Sequence, residues 1–323
     1  MSETVSTERT PREALADVRS QVAKVVVGQD GVVSGILTAL LVEGHVLLEG
    51  VPGVAKTLIV STLATALDLD TRRVQFTPDL MPSDVTGQLV LTPGGTDFMF
   101  RPGPVFTNLL LADELNRTPP KTQAALLEAM EESQVSTGGV TRSLPDPFIV
   151  VATQNPIEYE GTYPLPEAQL DRFLFQLPVR YPSVDDEIAI LRRHDEGLDP
   201  HDPAAAGVTA AAGAGDLAAG RAEVREVEVA PSILEYIVTL VRATRESGPV
   251  ELGISPRGAA MLLHAAKAWA WLSGRKFVTP DEVQAMARPV MRHRIRLRAE
   301  VAIEGTTPDQ VIEGILRAVP APR

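Results

Sequence analysis

The chain has 323 residues, of which 44% are hydrophobic, enough apolar material for one large or two medium domains with real cores. Acidic residues outnumber basic ones by 42 to 30, and the formal net charge of −12 argues against general attraction to nucleic acid or to an anionic membrane surface. The absence of cysteine excludes disulfides, thiolate metal sites and a thiol nucleophile.

The N-terminal residues 1–10 lack the apolar core of a signal peptide. The most apolar stretch, residues 35–51, is interrupted by Glu43, Gly44, His45 and Glu49, and falls far short of the roughly 20 apolar residues that span a bilayer. We therefore expect a soluble, cytoplasmic protein without a membrane span.

The predicted elements alternate between helices and short strands as far as about Tyr181. Helical spacing covers residues 11–27 and 31–43. Short apolar or β-prone runs predict strands at residues 45–49, 73–76, 109–112, 148–153 and 173–177. This alternation is typical of an α/β domain in which helices flank a parallel sheet.

Beyond Ser183 the pattern becomes helical, with candidates at residues 185–194, 232–246, 256–272 and 280–292. The intervening segment 197–220 is rich in Ala, Gly and Pro and has few large apolar residues, so we expect an exposed loop. The predicted organisation is a flexible N-terminus (1–11), an α/β domain (12–182) and a helical domain (183–323) that carries this loop insertion.

A glycine-rich stretch stands between the first predicted strand and a predicted helix. It reads Gly50-Val51-Pro52-Gly53-Val54-Ala55-Lys56-Thr57. A bound triphosphate needs inward-pointing backbone N–H groups, a cation near its β and γ phosphates, and a hydroxyl ligand for Mg²⁺ at a helix start. The context predicts an ATP site in which Lys56 supplies the charge and Thr57 binds Mg²⁺, while the rest of the loop and Leu58 contact the nucleotide.

Ala55 stands where the general motif has its second glycine. Because its methyl group favours ordinary backbone angles, we expect the loop to differ slightly in detail. The alternative interpretation of the stretch is a glycine- and proline-rich turn that carries a surface lysine.

Two other predicted strands end in side chains suited to phosphate chemistry. One ends in Asp113 and Glu114, and buried strands seldom end in adjacent acids without a cation. We predict that Asp113 contacts Mg²⁺, directly or through water, and that Glu114 orients and polarises the attacking water. The other strand places Asn155 at the same edge of the sheet, within reach of that water and the γ-phosphate. The alternative for the two acids is a solvent-exposed turn after the strand. The alternative for Asn155 is that its amide only hydrogen-bonds the backbone of its own loop.

Three longer stretches resemble the MoxR family of AAA+ ATPases, and the resemblance runs through nearly all of residues 12–320. They are FTPDLMPSDVTG at 76–87, ADELNRTPPKTQ at 112–123 and LPEAQLDRF at 165–173. The family's phosphate loop also has alanine at the position of Ala55. The resemblance implies an AAA+ P-loop domain followed by a helical lid, with ATP and Mg²⁺ as cofactors and ATP hydrolysis as the reaction.

The same resemblance implies roles for two arginines. Arg172 is similar to the arginine finger that acts on ATP bound by a neighbouring subunit, and Arg257 is similar to the sensor-2 arginine of the lid, which would report the phosphate state. Nearby acids offer simpler partners, such as Asp171 for Arg172. ATP would then lie between the α/β domain and the lid, in a homo-oligomeric and hexameric ring.

The output implied by the family is the remodelling or activation of a partner protein, typically one with a von Willebrand factor A domain. A DNA-dependent motor and a metal-chelatase subunit are the alternatives. Two predicted hairpins, at residues 89–100 and 134–142, have only Arg101 and Arg142 near them, too few cations for a DNA grip. The arginine-rich stretch 288–298 favours a solvated face or a subunit interface over a nucleic-acid contact.

Overall fold

The computed structural model describes residues 9–51, 54–92, 95, 97–155, 162–197, 199 and 202–322. Its strands, in chain order, are β1 (Val46–Glu49), β2 (Thr71–Gln75), β3 (Gly87–Leu91), β4 (Phe98–Pro102), β5 (Leu109–Asp113), β6 (Gln134–Thr137), β7 (Val140–Ser143), β8 (Ile149–Gln154), β9 (Phe175–Pro178), β10 (Val250–Leu252) and β11 (Arg296–Leu297).

The helices up to the end of the sheet region are α1 (Pro11–Val22), α2 (Asp30–Leu41), α3 (Lys56–Ala66), α4 (Pro82–Thr86), α5 (Pro120–Glu132) and α6 (Glu167–Leu170). Those that follow are α7 (Val184–Asp195), α8 (Ala214–Arg225), α9 (Pro231–Glu246), α10 (Pro256–Leu272), α11 (Pro280–Met291), α12 (Ala299–Ile303) and α13 (Pro308–Ala318). Within the described part of the chain, no helix has both the length and the apolar character that a bilayer crossing requires.

A five-stranded parallel sheet with the order β2-β5-β8-β1-β9 forms the centre of the α/β region. The pairs β3/β4 and β6/β7 are separate antiparallel hairpins. Register pairs Glu49 with Gln154 and Gln75 with Asp113, so the C-terminal ends of neighbouring strands meet at one edge. That edge is where open parallel sheets bind ligands.

Helices cover both faces of the sheet, as the sequence predicted. Alternate strand residues point to opposite faces, so Leu111 and Val151 enter one core while Leu110 and Val150 enter another. The first core includes α1, α2 and α3 and continues into α9, α10 and α11; the second is closed by α5. The helical C-terminal region is therefore packed directly against the α/β region.

The segment 197–220 differs from the exposed loop that we expected. Val208 and Leu217 are buried, and α8 begins at Ala214 and packs against α1, α2 and α10. A Cβ added at Gly220 would lie 3.2 Å from the Trp271 ring, so small side chains permit this close approach. The shortage of large apolar residues in this segment suggested a loop. The large apolar side chains that cover α8 come instead from distant parts of the sequence, which a local pattern does not reveal.

The arginine-rich stretch 288–298 is also less exposed than a solvated face would be. Its residues join different parts of the chain: Arg292 pairs with Asp309 at 3.1 Å, and Arg294 pairs with Asp171 at 2.6 Å. His293 and Arg294 are buried. Arg294 also donates to the carbonyl oxygens of Phe173 and Leu174. These contacts fasten the helical region to the end of the sheet.

Candidate nucleotide site

The phosphate loop links the end of β1 to the start of α3, and its first glycine is required by packing. A Cβ added at Gly50 would lie 2.5 Å from the carbonyl oxygen of Val179, which follows the neighbouring strand β9. Pro52 and Gly53 lie outside the described residues. Val51 and Val54 flank that gap, and Val54 is buried.

Ala55 corrects our expectation of ordinary backbone angles. It is the N-cap of α3 and has φ 58° and ψ 20°, the left-handed region that non-glycine residues seldom occupy. Its side chain provides no cap for the helix. The first backbone N–H groups of a helix have no intrahelical acceptor, so the start of α3, at Lys56, Thr57 and Leu58, is a place where an anion can be bound.

Lys56 and Thr57 project from this first turn. The Lys56 ammonium donates to the carbonyl oxygen of Gly50 at 2.7 Å, which turns the side chain back toward the end of β1. Thr57 is exposed at the same helix start. A cation and a hydroxyl are therefore held within one helical turn, as the sequence motif requires.

Asp113 ends β5 with both carboxylate oxygens in use. Thr153, on the neighbouring strand β8, donates from Oγ1 to Oδ1 at 2.6 Å. Arg73, on the edge strand β2, donates from Nη2 to Oδ2 at 2.7 Å and from Nε to the same oxygen at 3.2 Å. The Asp113 side chain is 13% exposed, so this charged group is largely shielded by its partners.

Glu114 turns away from the strand direction because it adopts φ 58° and ψ 48°. Its backbone N–H donates to Thr153 Oγ1 at 2.9 Å, which fixes the turn. Its carboxylate accepts from Gln75 Nε2 at 2.5 Å and lies 3.0 Å from Arg117 Nε. Glu114 and Ala55 thus both hold left-handed backbone at this site, a strain that surrounding contacts must maintain.

These groups converge on one cleft of about 710 Å³. Lys56, Thr57, Asp113, Glu114 and the buried Asn155 line its polar part. The sequence predicted all five residues, but it missed other lining residues, namely Arg73, Gln75, Tyr181, Glu187, Arg193 and His194.

The cleft also has an apolar lining. Val25, Val26 and Val27 line it from the segment after α1, and Ile190 lines it from α7. Arg193 donates to the carbonyl oxygen of Ala23 at 3.1 Å and ties α7 to this segment. A cleft lined by both apolar and charged side chains suits a nucleotide, which has a flat base and charged phosphates.

Arg172 and Arg257 do not line this cleft. They lie together at a second cavity of about 340 Å³, where Glu131 binds both of them. Hydrogen bonding, first from Arg172 and then from Arg257, lowers the pKa of the Glu131 carboxyl below its ordinary value. Among the described helices beyond residue 183, only α7 borders the cleft, and Arg257 lies at the second cavity instead. The sensor-2 role of Arg257 stays a prediction.

Asp171, the nearby acid that the sequence suggested as a partner for Arg172, binds other residues. Asp171 binds Arg294 and lies 3.4 Å from Ser255 Oγ, whereas Arg172 reaches Glu131 at the end of α5. The Arg172 side chain is 31% exposed and that of Arg257 is 43% exposed. Both guanidinium groups can therefore be reached from outside the chain.

The donor set of the cleft suits Mg²⁺ that arrives with a nucleotide. Within the described residues, no group of three or more His, Asp or Glu side chains could hold a metal ion alone. Mg²⁺ commonly uses one or two protein oxygens and completes its coordination with water and substrate phosphates. The Thr57 hydroxyl and the Asp113 carboxylate provide that kind of partial set.

Comparisons with known proteins agree with the fold and the cleft. The model for the ATPase family associated with various cellular activities (AAA) matches residues 45–175, and the model for the AAA lid domain matches residues 242–315. A crystal structure from Cytophaga hutchinsonii, named a candidate ATPase, superposes with a TM-score of 0.89 at 41% identity and covers 97% of this chain and 96% of that one.

Two curated relatives span almost all of the chain. The protein YeaC of Bacillus subtilis is 47% identical over 301 residues, covering 93% of this chain and 92% of that protein. Chaperone MoxR1 of Mycobacterium tuberculosis is 43% identical over 312 residues, covering 94% and 81% respectively. The fold, the phosphate loop and the lid define an AAA ATPase. The chain belongs to the MoxR family of these AAA+ ATPases.

Proposed function

We propose that this chain binds ATP in the cleft and hydrolyses it to ADP and phosphate. The observation that carries the proposal is the meeting of Lys56, Asp113, Glu114 and Asn155 around one cavity, although they come from the start of α3 and from the ends of two strands, β5 and β8. The N-terminus of α3 and Lys56 would bind the phosphates. The apolar part of the cleft would hold the base.

Each polar side chain then has a distinct task. Thr57 and Asp113 would hold Mg²⁺, which when bound neutralises charge on the phosphates. Glu114, which lines the cleft, would accept a hydrogen bond from the attacking water and polarise it. Asn155 would position the same water and the γ-phosphate with its amide.

Arg172 and Arg257 would act together on ATP held by a neighbouring subunit. They share one carboxylate, are partly exposed and lie away from the chain's own cleft. A guanidinium that reaches the γ-phosphate from outside is worth roughly a thousandfold or more in rate. The proposal is therefore a homo-oligomeric ring, hexameric as in the family resemblance, in which each subunit completes the next site.

The proposal divides the chain into an α/β domain at 12–182 and a lid at 183–323. ATP hydrolysis would move the lid, and this motion would remodel a partner protein in the cytoplasm. A protein with a von Willebrand factor A domain is the proposed partner. The β3/β4 hairpin supports a protein client over DNA, because Leu91, Phe98 and Met99 are 58%, 68% and 50% exposed where a DNA grip would need cations.

The test of the proposal is phosphate release by the parent chain, Glu114→Gln and the control Glu132→Gln, whose exposed carboxylate lies near the end of α5. Glu114→Gln should bind ATP with nearly parental affinity and release phosphate at least about a hundredfold more slowly, the usual range for losing a positioned general base. Glu132→Gln should match the parent. Equal rates in all three proteins would refute the assignment of Glu114.

The DNA-motor alternative is tested in the same assay by adding duplex or single-stranded DNA. Unchanged ATP turnover is expected, because the chain carries a net charge of −12 and the hairpins expose apolar side chains. Strong stimulation by DNA would favour a motor instead. Capture of partners by the slow Glu114→Gln protein with ATP then tests the client class, and recovery of tetrapyrrole-pathway proteins would favour the chelatase alternative.

A further inference from the structure

Arg73 forms an ion pair with the Asp113 carboxylate. It lies on β2, the edge strand of the sheet, two residues before Gln75 and on the same face. Nη2 and Nε both donate to Asp113 Oδ2, at 2.7 and 3.2 Å, and Nη2 also donates to Gln75 Oε1 at 3.2 Å. Arg73 lines the cleft, yet the functional proposal gives it no role.

Arg73 occupies one of the two Asp113 oxygens that a metal could use. Oδ1 of Asp113 already accepts the Thr153 hydroxyl at 2.6 Å, a contact that also helps to fix the turn at Glu114. Mg²⁺, or water bound to it, that used Oδ2 would therefore have to displace Arg73 or share the oxygen with it. A guanidinium and a divalent cation at the same carboxylate oxygen repel each other strongly in a partly shielded site.

We propose that Arg73 competes with Mg²⁺ for the Asp113 carboxylate and so sets the Mg²⁺ concentration at which the nucleotide is bound. This inference rests on the proposed function, which assigns Asp113 to Mg²⁺. The Arg73 side chain is 53% exposed, so it can leave Asp113 without repacking the core. Only protein molecules in which Arg73 has left the carboxylate can bind Mg²⁺ there. The apparent Mg²⁺ affinity is therefore the intrinsic affinity multiplied by the fraction of such molecules.

The experiment measures the binding of a fluorescent, non-hydrolysable ATP analogue while Mg²⁺ is titrated, with a parallel series in EDTA. Arg73→Met removes the competing charge while keeping a long apolar side chain. Arg72→Met is the matched control, because Arg72 is the adjacent exposed arginine on the other face of β2 and does not line the cleft. Arg73→Lys keeps the charge but loses the second hydrogen bond to Oδ2.

Half-maximal Mg²⁺ should fall roughly three- to tenfold in Arg73→Met, the range of an ordinary protein hydrogen bond, because solvent weakens the ion pair of a side chain that is 53% exposed. Arg73→Lys should lie between this value and the parental one, and Arg72→Met should match the parent, since only a general charge effect would move it. Melting temperatures of Arg72→Met and Arg73→Lys should match the parent, and a small drop is expected in Arg73→Met because it leaves Oδ2 of the shielded Asp113 without its donor.

Two results would overturn the inference while leaving the proposed function intact. One is a half-maximal Mg²⁺ that is unchanged or higher in Arg73→Met. The other is a large loss of analogue affinity in EDTA with no change in the Mg²⁺ midpoint, which would make Arg73 a phosphate ligand. A parent chain that binds no analogue at all would overturn the proposed function and this inference together.

Discussion

Arg172 and Arg257 bind the two oxygens of a single carboxylate: Arg172 Nε lies 2.5 Å from Glu131 Oε2, and Arg257 Nη1 lies 2.9 Å from Oε1. The two arginines come from distant parts of the sequence, one just before β9 and the other at the start of α10. Their shared partner makes them one cationic group on the outside of the subunit.

If this pair acts on a neighbour's ATP, defective subunits should rescue each other. Arg172→Ala and Lys56→Ala should each abolish most turnover alone. Mixing them should restore part of it, because a Lys56→Ala subunit still presents Arg172 to an intact cleft next door. Phosphate release from mixed and unmixed proteins measures this, with Arg242→Ala on the exposed face of α9 as a control that should remain active. A mixture no more active than its components would show that Arg172 does not act in trans.

Ala55 should be a position where glycine stabilises the protein. At φ 58° alanine bears a steric cost that glycine does not, so Ala55→Gly should raise the free energy of unfolding by about 0.5–1 kcal/mol. Ala16→Gly, at an exposed site inside α1, should instead lower it by about 1 kcal/mol. Denaturant unfolding of the three proteins provides the comparison. A destabilised Ala55→Gly would mean that the strained conformation is compensated by a contact of the methyl group.

His45 should make the fold sensitive to mild acid. Its Nδ1 accepts from the Val150 N–H at 3.0 Å and its Nε2 lies 3.0 Å from the Met130 carbonyl oxygen, so the buried ring is neutral. Burial lowers the pKa of His45 to about 4. The unfolded state binds a proton at His45 more readily than the folded state does. The neutral His45 ring therefore contributes to the free energy of unfolding in full above about pH 6.5, and this contribution, on the order of 3 kcal/mol, is lost progressively toward pH 4.

The check is the slope of unfolding free energy against pH between 5 and 6.5 for the parent and for His45→Gln. The slope of unfolding free energy against pH should fall in the variant by an average of about 0.8 proton, or about 1.1 kcal/mol per pH unit. The slope that remains belongs in part to His293 and His264, whose pKa values burial also lowers. Identical slopes in the two proteins would contradict the assignment to His45.

Arg294 should be among the most sensitive arginines for folding. It is 2% exposed, pairs with Asp171 and donates to backbone carbonyls of the segment that carries Arg172. Arg294→Met should cost about 3 kcal/mol, since it leaves a carboxylate and several carbonyl groups without their partner. Arg296 pairs with Glu167, and its side chain is 56% exposed. Arg296→Met should therefore lower the free energy of unfolding by less than about 1 kcal/mol. Equal losses would mean that burial does not distinguish the two.

The parts of the site that sequence predicted are those carried by local patterns. A glycine-rich loop before a helix, and acids or amides at the ends of apolar strands, must meet at one edge once the sheet is parallel, which is why Lys56, Asp113 and Asn155 lie together. The five strands of the parallel sheet were also predicted to within a few residues, because apolar runs and breakers are local signals; the short strands β10 and β11 were not predicted.

What sequence did not predict depends on how distant segments pack. Arg73 and Gln75 alternate along an exposed edge strand, a spacing that puts them on one face but does not reveal which carboxylates they meet. The position of Arg257 beside Arg172 follows from the way α10 docks against the sheet region, and no motif encodes that angle. The helix α8 escaped notice because alanine and glycine carry little hydrophobic periodicity.

The most direct measurement of the central claim is a structure of the Glu114→Gln protein with ATP and Mg²⁺. The account predicts that the triphosphate lies at the N-terminus of α3, within hydrogen-bonding distance of Lys56 and with Mg²⁺ between the phosphates and the oxygens of Thr57 and Asp113. A nucleotide bound elsewhere on the chain, or phosphates out of reach of both Lys56 and Asp113, would contradict it.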